Sequence, residues 1–130
     1  MPTEMQTRKT SGFTLIEVLI TVAILAIITA IAIPAYQGYI STARETEGWQ
    51  NLASLKLAQE EFFLENNVYF SGANTATLNA NSGGLWQAEP SQDNTFNFDY
   101  AVALSGGGYH ATATGKNNVP ASVVLVVDKQ

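Results

Sequence analysis

A single acid stands inside an oily run. Glu17 is the only charged residue in the string FTLIEVLITVAILAIITAIAI, which spans residues 13–33. A carboxylate in such surroundings is costly to desolvate and normally marks function, and it calls for a positive group to meet it. Gly12 stands immediately before the run. Without a side chain it leaves the backbone open to close approach. Little else points to chemistry. His110 is the single histidine, and no Ser/His/Asp set or metal-ligand spacing accompanies it, so it reads as a solvent-facing strand residue. The absence of cysteine excludes disulfides, thiolate metal sites and cysteine nucleophiles. Glu60, Glu61 and Glu65 read as a solvated face. Glu89, Asp93 and Asp99 match no calcium-loop spacing. Asn74-Thr75-Ala76 and Asn81-Ser82-Gly83 lack the Asn-x-Ser/Thr spacing of N-glycosylation. The expectation is a protein that is not an enzyme and carries no metal or cofactor.

The elements that hold these residues follow from periodicity. Residues 1–12 are polar, end in Arg8-Lys9 and small residues, and show no period. A basic pair just before an apolar run fits the positive-inside rule. The 21 residues 13–33 make a helix of about 31 Å, the thickness of a bilayer core. In lipid every backbone group must bond internally, so the β-branched residues do not oppose a helix, and Thr14, Thr21 and Thr29 can bond back to the preceding turn. Pro34 predicts a bend or a locally melted turn. Gly38 and Gly48 weaken the helix. The helical pattern then resumes as an amphipathic half ending near Asn66-Asn67. Tyr36, Ile40 and Ala43, then Leu52, Leu55, Ala58 and Phe62, lie on the apolar face, with Glu45, Glu47, Gln50, Lys56, Glu60 and Glu61 on the rest.

Residues 71–94, rich in Ser, Gly, Asn and Thr, read as a long loop. From Thr95 the period changes to two, with Phe96, Phe98, Tyr100, Val102 and Leu104 on one side. Ser105-Gly106-Gly107-Gly108 and Lys116-Asn117-Asn118 are turns. Tyr109, Ala111 and Ala113 alternate in a second strand. The continuous apolar run Ser122–Asp128 suggests a last strand buried on both faces, or an edge covered by a neighbour. The fold class is α+β: a long N-terminal helix packed on a C-terminal antiparallel meander. The aromatic residues read as core packing.

The string Lys9-Thr10-Ser11-Gly12-Phe13-Thr14-Leu15-Ile16-Glu17 closely resembles the processing site of bacterial type IV pilins and pseudopilins. The resemblance is strong over residues 8–34 and looser through the amphipathic helix. It implies that residues 1–12 are a leader cut by a prepilin peptidase between Gly12 and Phe13, with N-methylation of Phe13. Residues 13–34 would then be the transmembrane and filament-core helix. Residues 35–130 would be the exported head, with its helix at about 35–66, a loop at 67–94 and the sheet at about 95–128. Glu17 would pair with the α-amino group of Phe13 on a neighbouring subunit, which favours one register between helices. The partners implied are other copies of the chain, the peptidase, a pilus assembly platform, minor pilins and the inner membrane before assembly. The product would be a surface pilus or a periplasmic pseudopilus.

Charge bears on partners. The chain carries 6 basic and 11 acidic residues, a net −5, and the four bases of residues 13–130 (Arg44, Lys56, Lys116 and Lys129) are scattered. Nonspecific nucleic-acid binding rests on Lys and Arg neutralising phosphates, so none is expected. A minor pilin, a secretion or competence pseudopilin, and a membrane-anchored binding module that never polymerises remain alternatives. The missing cysteines depart from many type IV pilins, which close the C-terminal region with a disulfide.

Overall fold

A computed structural model describes Met1 and residues 12–91 and 94–130. The leader, apart from its end residues Met1 and Gly12, and the calcium candidate Asp93 lie outside the described residues. The chain divides into two units, Met1–Gly38 and Tyr39–Gln130.

In the first unit, helix α1 (Leu15–Asn66) begins, and every residue from Leu15 to Gly38 is solvent-exposed. No turn is melted at Pro34; the helix is continuous through it. Thr21 and Thr29 donate their hydroxyls to the carbonyls of Glu17 and Leu25, at 2.9 and 2.6 Å. These back-bonds satisfy the hydroxyls inside an apolar segment.

In the second unit, the remainder of α1 lies against a three-stranded antiparallel sheet of order β1-β2-β3: β1 (Phe98–Ser105), β2 (Gly108–Gly115) and β3 (Val124–Lys129). Gly106 and Gly107 turn β1 into β2 at positive φ, which only glycine adopts without strain. Asn67, at φ 57°, ends α1, its N–H bonding the Phe63 carbonyl at 2.8 Å. The core is Leu52, Leu55 and Ala58 of α1, Phe70, Leu78, Trp86, and Phe98, Tyr100, Val102, Tyr109, Ala111, Ala113 and Leu125 of the sheet. Phe62 is partly buried at its rim.

The structure departs from several expectations. Residues 71–94 contain a second helix, α2 (Thr75–Asn81). A helix of seven residues is too short to show a period. It forms because Asn74 caps it reciprocally with Thr77 and because Leu78 is fully buried. The strict alternation begins at Phe98, not at Thr95. Phe96 is exposed, while Asn97 turns inward to meet Glu47. Strand β3 is not buried on both faces. It is an edge strand whose Leu125 points into the core while Val124 and Val126 face solvent. On the predicted helix face, Tyr36 and Ala43 are exposed, and burial starts only at Glu47 and Gly48.

The largest correction concerns Glu47, expected on the solvated side. It is buried, and its carboxylate accepts from the Asn97 backbone N–H at 3.1 Å and from Asn97 Nδ2 at 2.7 Å. One turn on, Asn51 donates to the Glu89 carbonyl and to the Tyr100 hydroxyl, both at 2.9 Å, and accepts from the Glu89 N–H at 2.8 Å. Ser54 accepts from Trp86 Nε1 at 3.0 Å. One polar strip of α1 thus satisfies the backbone of a segment that lacks regular partners of its own. Gly48 lies between these contacts. A Cβ there would stand 2.6 Å from Leu125 Cδ1 and 3.0 Å from Phe98 Cε2, so glycine sets how closely helix and sheet approach.

Candidate processing and assembly site

Gly12, Phe13 and Thr14 precede α1 and are not helical. Among the described residues, none beyond its chain neighbours comes within 4 Å of the place a Gly12 side chain would occupy, and Phe13 is 84% exposed. The peptide bond between them is therefore open backbone at the foot of a rigid rod.

Glu17 lies in the first turn of α1, exposed. Its carboxylate accepts from the Thr14 N–H at 3.4 Å, while Thr14 Oγ1 accepts from the Glu17 N–H at 3.3 Å. The Val18 N–H reaches the Thr14 carbonyl at 3.2 Å, the first bond of the helix. Thr14 is thus the N-cap, and Thr14-x-x-Glu17 is a capping box. Thr14 stands just before the helix and its hydroxyl caps it, unlike those of Thr21 and Thr29, which bond back to the preceding turn. The Ser/Thr-x-x-Glu signature is legible in sequence, but the charge of Glu17 drew the attention. Beyond it the run offers an unbroken apolar surface: Leu15, Ile16, Val18, Leu19, Ile20, Val22, and onward to Ile33, all exposed.

A second uncovered apolar surface lies on the head's part of α1. Trp49, Leu57 and Leu64 are 48, 73 and 84% exposed. At 100° per residue they fall within about 80° of one another, opposite the face that carries Gly48, Leu52, Leu55 and Gln59. This part of α1 is therefore apolar on two sides, not simply amphipathic.

The remaining sequence candidates sit apart from this region. His110 is exposed on β2, its Nδ1 against the Asp128 carboxylate of β3. Glu60 pairs with Lys129 at 3.0 Å. Burial disfavours ionisation of Asp99, but hydrogen bonds from the Thr75 hydroxyl and N–H, with Lys116 nearby, outweigh it and hold the carboxyl below its usual value. Glu89 uses its backbone on Asn51. Among the described residues no group of three His, Asp or Glu stands ready to hold a metal. Of the basic residues, Arg44 donates to the Asn118 carbonyl at 3.2 Å, Lys116 lies 5.9 Å from the Phe96 ring centroid, and Lys129 meets Glu60.

Comparison with known proteins matches two family models, end to end. Residues 7–33 match the prokaryotic N-terminal methylation motif, and residues 34–121 match the family described as type IV minor pilin ComP, DNA uptake sequence receptor. The type IV major alpha-pilin of Moraxella bovis is 38% identical over 95 residues, 73% of this chain and 59% of that protein. The type IV major fimbrial protein FimA of Dichelobacter nodosus is 37% identical over 99 residues, 70% of this chain and 63% of that protein. A fimbrial protein of Pseudomonas aeruginosa is 45% identical over 62 residues, 48% of this chain and 40% of that protein. The chain thus spans less than two thirds of the length of these relatives. No solved structure matches it. With models covering both the apolar helix and the head, the chain belongs to the type IV pilin family.

Proposed function

We propose that this chain is the structural subunit of a type IV pilus or pilus-like filament. It is made as a precursor whose residues 1–12 are removed by a prepilin peptidase at Gly12–Phe13. Water adds its hydroxyl to the Gly12 carbonyl, the C–N bond breaks, and the Phe13 nitrogen takes water's proton and leaves as an amine; that amine then accepts a methyl group from an activated methyl donor and gives up a proton. Residues 13–34 hold the subunit in the inner membrane until an assembly platform, with minor pilins, adds it to the growing filament. Residues 35–130 form the exported head. Pro34, which removes one helical hydrogen bond, is the place where the helix bends.

One observation carries the reading: a bilayer-length apolar helix, uncovered on every side, holds a single acid close to an open Gly-Phe bond. Such a surface has to be buried in lipid or in other helices. Moving it from one to the other changes little net burial, so the transfer costs little. In the filament the Glu17 carboxylate loses water, and the Phe13 amine of a neighbouring subunit offsets that cost. The stripe of Trp49, Leu57 and Leu64 fits the same reading, because it gives the head an uncovered apolar surface of its own.

Mass spectrometry of the cell-derived N-terminus tests the processing. N-methylated Phe13 is expected; an intact Met1, or a start near Ile33, as a signal peptidase cutting after Ala30-Ile31-Ala32 would leave, overturns it. Glu17→Ala tests assembly. A filament subunit stops polymerising, whereas an anchor that never polymerises inserts as well as before or better.

The match to a minor-pilin family favours a second reading, a subunit that primes or decorates filaments made of another pilin. Deletion separates the two: loss of all filament mass marks the major subunit, and fewer filaments of unchanged composition mark the minor one. DNA capture, which that family's description carries, is opposed by the head's charge. Three of its four bases are already engaged, by Asn118, Phe96 and Glu60.

A further inference from the structure

We propose that Thr14 is a positioning residue for the leader cut: its capping box with Glu17 halts the helix just after Phe13 and keeps the Gly12–Phe13 bond in non-helical, exposed backbone. The inference rests on the processing reading above and assigns Glu17 a second task, separate from assembly.

The geometry supplies the mechanism. For α1 to grow one turn further, the Thr14 N–H would have to bond a carbonyl four residues upstream. That N–H is taken by the Glu17 carboxylate at 3.4 Å. The Thr14 hydroxyl satisfies the Glu17 N–H at 3.3 Å, so the first turn holds without upstream help. A peptidase must wrap its donors around both faces of the scissile amide, which a helical amide does not allow. Gly12 and Phe13, with nothing packed over them, meet that need. Gly12 weakens helix growth by about 1 kcal/mol but does not forbid it, and Phe13 is as apolar as the residues after it, so the capping box completes a stop that the glycine begins.

The two tasks of Glu17 differ in chemistry. Capping needs a side-chain acceptor, while pairing with an amine needs a charge. Glu17→Gln keeps the first and loses the second. Thr14→Val keeps the shape and loses the hydroxyl. Thr14→Ser restores it.

The test uses the full precursor in detergent micelles with a prepilin peptidase, and reads kcat/KM for the release of residues 1–12. Cleavage of Thr14→Val is expected to slow about fivefold, the factor that ~1 kcal/mol of N-cap represents at 1.4 kcal/mol per decade. Thr14→Ser recovers the rate, while Glu17→Gln, read by filament assembly alone, fails to polymerise. In Thr14→Val, the 13Cα shifts of Gly12 and Phe13 move toward helical values. Normal cutting of Thr14→Val, unmoved shifts in that variant, or a Thr14→Ser rate that stays low, overturns the proposal and leaves the processing reading intact. Failure of the wild-type chain to be cut at Gly12–Phe13 sinks both.

Discussion

Glu47→Ala removes a carboxylate that the sequence places on the surface and the fold places inside. The Asn97 backbone N–H loses its partner at 3.1 Å, and Asn97 Nδ2 loses its bond at 2.7 Å. Asn97 is 1% exposed, so water cannot replace either. The side-chain nitrogen keeps Ser91 Oγ at 3.2 Å and a weak contact to the Thr95 carbonyl, while the backbone N–H keeps nothing. A stranded buried donor costs about 1–3 kcal/mol. One fully stranded and one half-satisfied donor therefore cost about 2–4 kcal/mol by the same measure. Two terms work against this. The buried carboxylate no longer has to be desolvated, and alanine is the better helix former by a few tenths of a kcal/mol. The expected net loss is about 2 kcal/mol. Glu61→Ala, on the exposed side of the same helix, is the control and stays within about 0.5 kcal/mol. The assay is urea unfolding of the full chain in micelles, followed by the fluorescence of buried Trp86 against exposed Trp49. With a slope of about 1–1.5 kcal/mol/M, the Glu47→Ala midpoint falls by about 1.3–2 M. Equal midpoints for the two variants would refute the burial of Glu47 and the strip that includes Asn51 and Ser54.

Other outcomes follow from the same packing. Gly48→Ala gains about 1 kcal/mol of helix propensity but forces Leu125 and Phe98 aside at about 1–3 kcal/mol, so thermal unfolding shifts down. Gly38→Ala, which meets nothing within 4 Å, is neutral or stabilising in the same measurement. Burial of Tyr109, with Glu60 and Tyr69 close by, pushes its phenol up to about 12, and burial likewise raises Tyr100. Folding thus favours the neutral phenols. Their contribution is complete below the unfolded value near 10 and fades as pH rises through the folded values. Absorbance at 295 nm will show these two ionising only with alkaline unfolding, and a stepwise titration of all five tyrosines near 10 would contradict it. Leu57→Glu, at a side chain that meets only solvent in the monomer, leaves the unfolding midpoint within about 0.5 kcal/mol but blocks filament growth seen by electron microscopy. Normal filaments from that variant would remove the stripe from the assembly surface.

Much of the molecule was determined by the sequence alone, wherever neighbours along the chain decide the outcome. The apolar run, its lone acid and the Gly12-Phe13 junction are strings, and a string of that length and hydropathy has few physical options. The alternation of Phe98, Tyr100 and Val102 with Asp99 and Ala101 is likewise local, and so are the turns at Gly106 and Asn117. Tertiary structure decided what depends on residues far apart in sequence. Glu47 is inside because Asn97, fifty positions later, offers it two donors. The need for Gly48 exists only because Leu125 comes to lie over it, and the short helix α2 forms because Leu78 finds a core to enter. The composition of β3 reads as burial on both faces or as a covered edge; it is an edge, and only the face of Leu125 meets the core, so Val124 and Val126 on the other face stand in water. Periodicity tells which side of an element is apolar. Only the assembled fold tells which of two apolar sides is covered, because burial belongs to pairs of surfaces and not to either one.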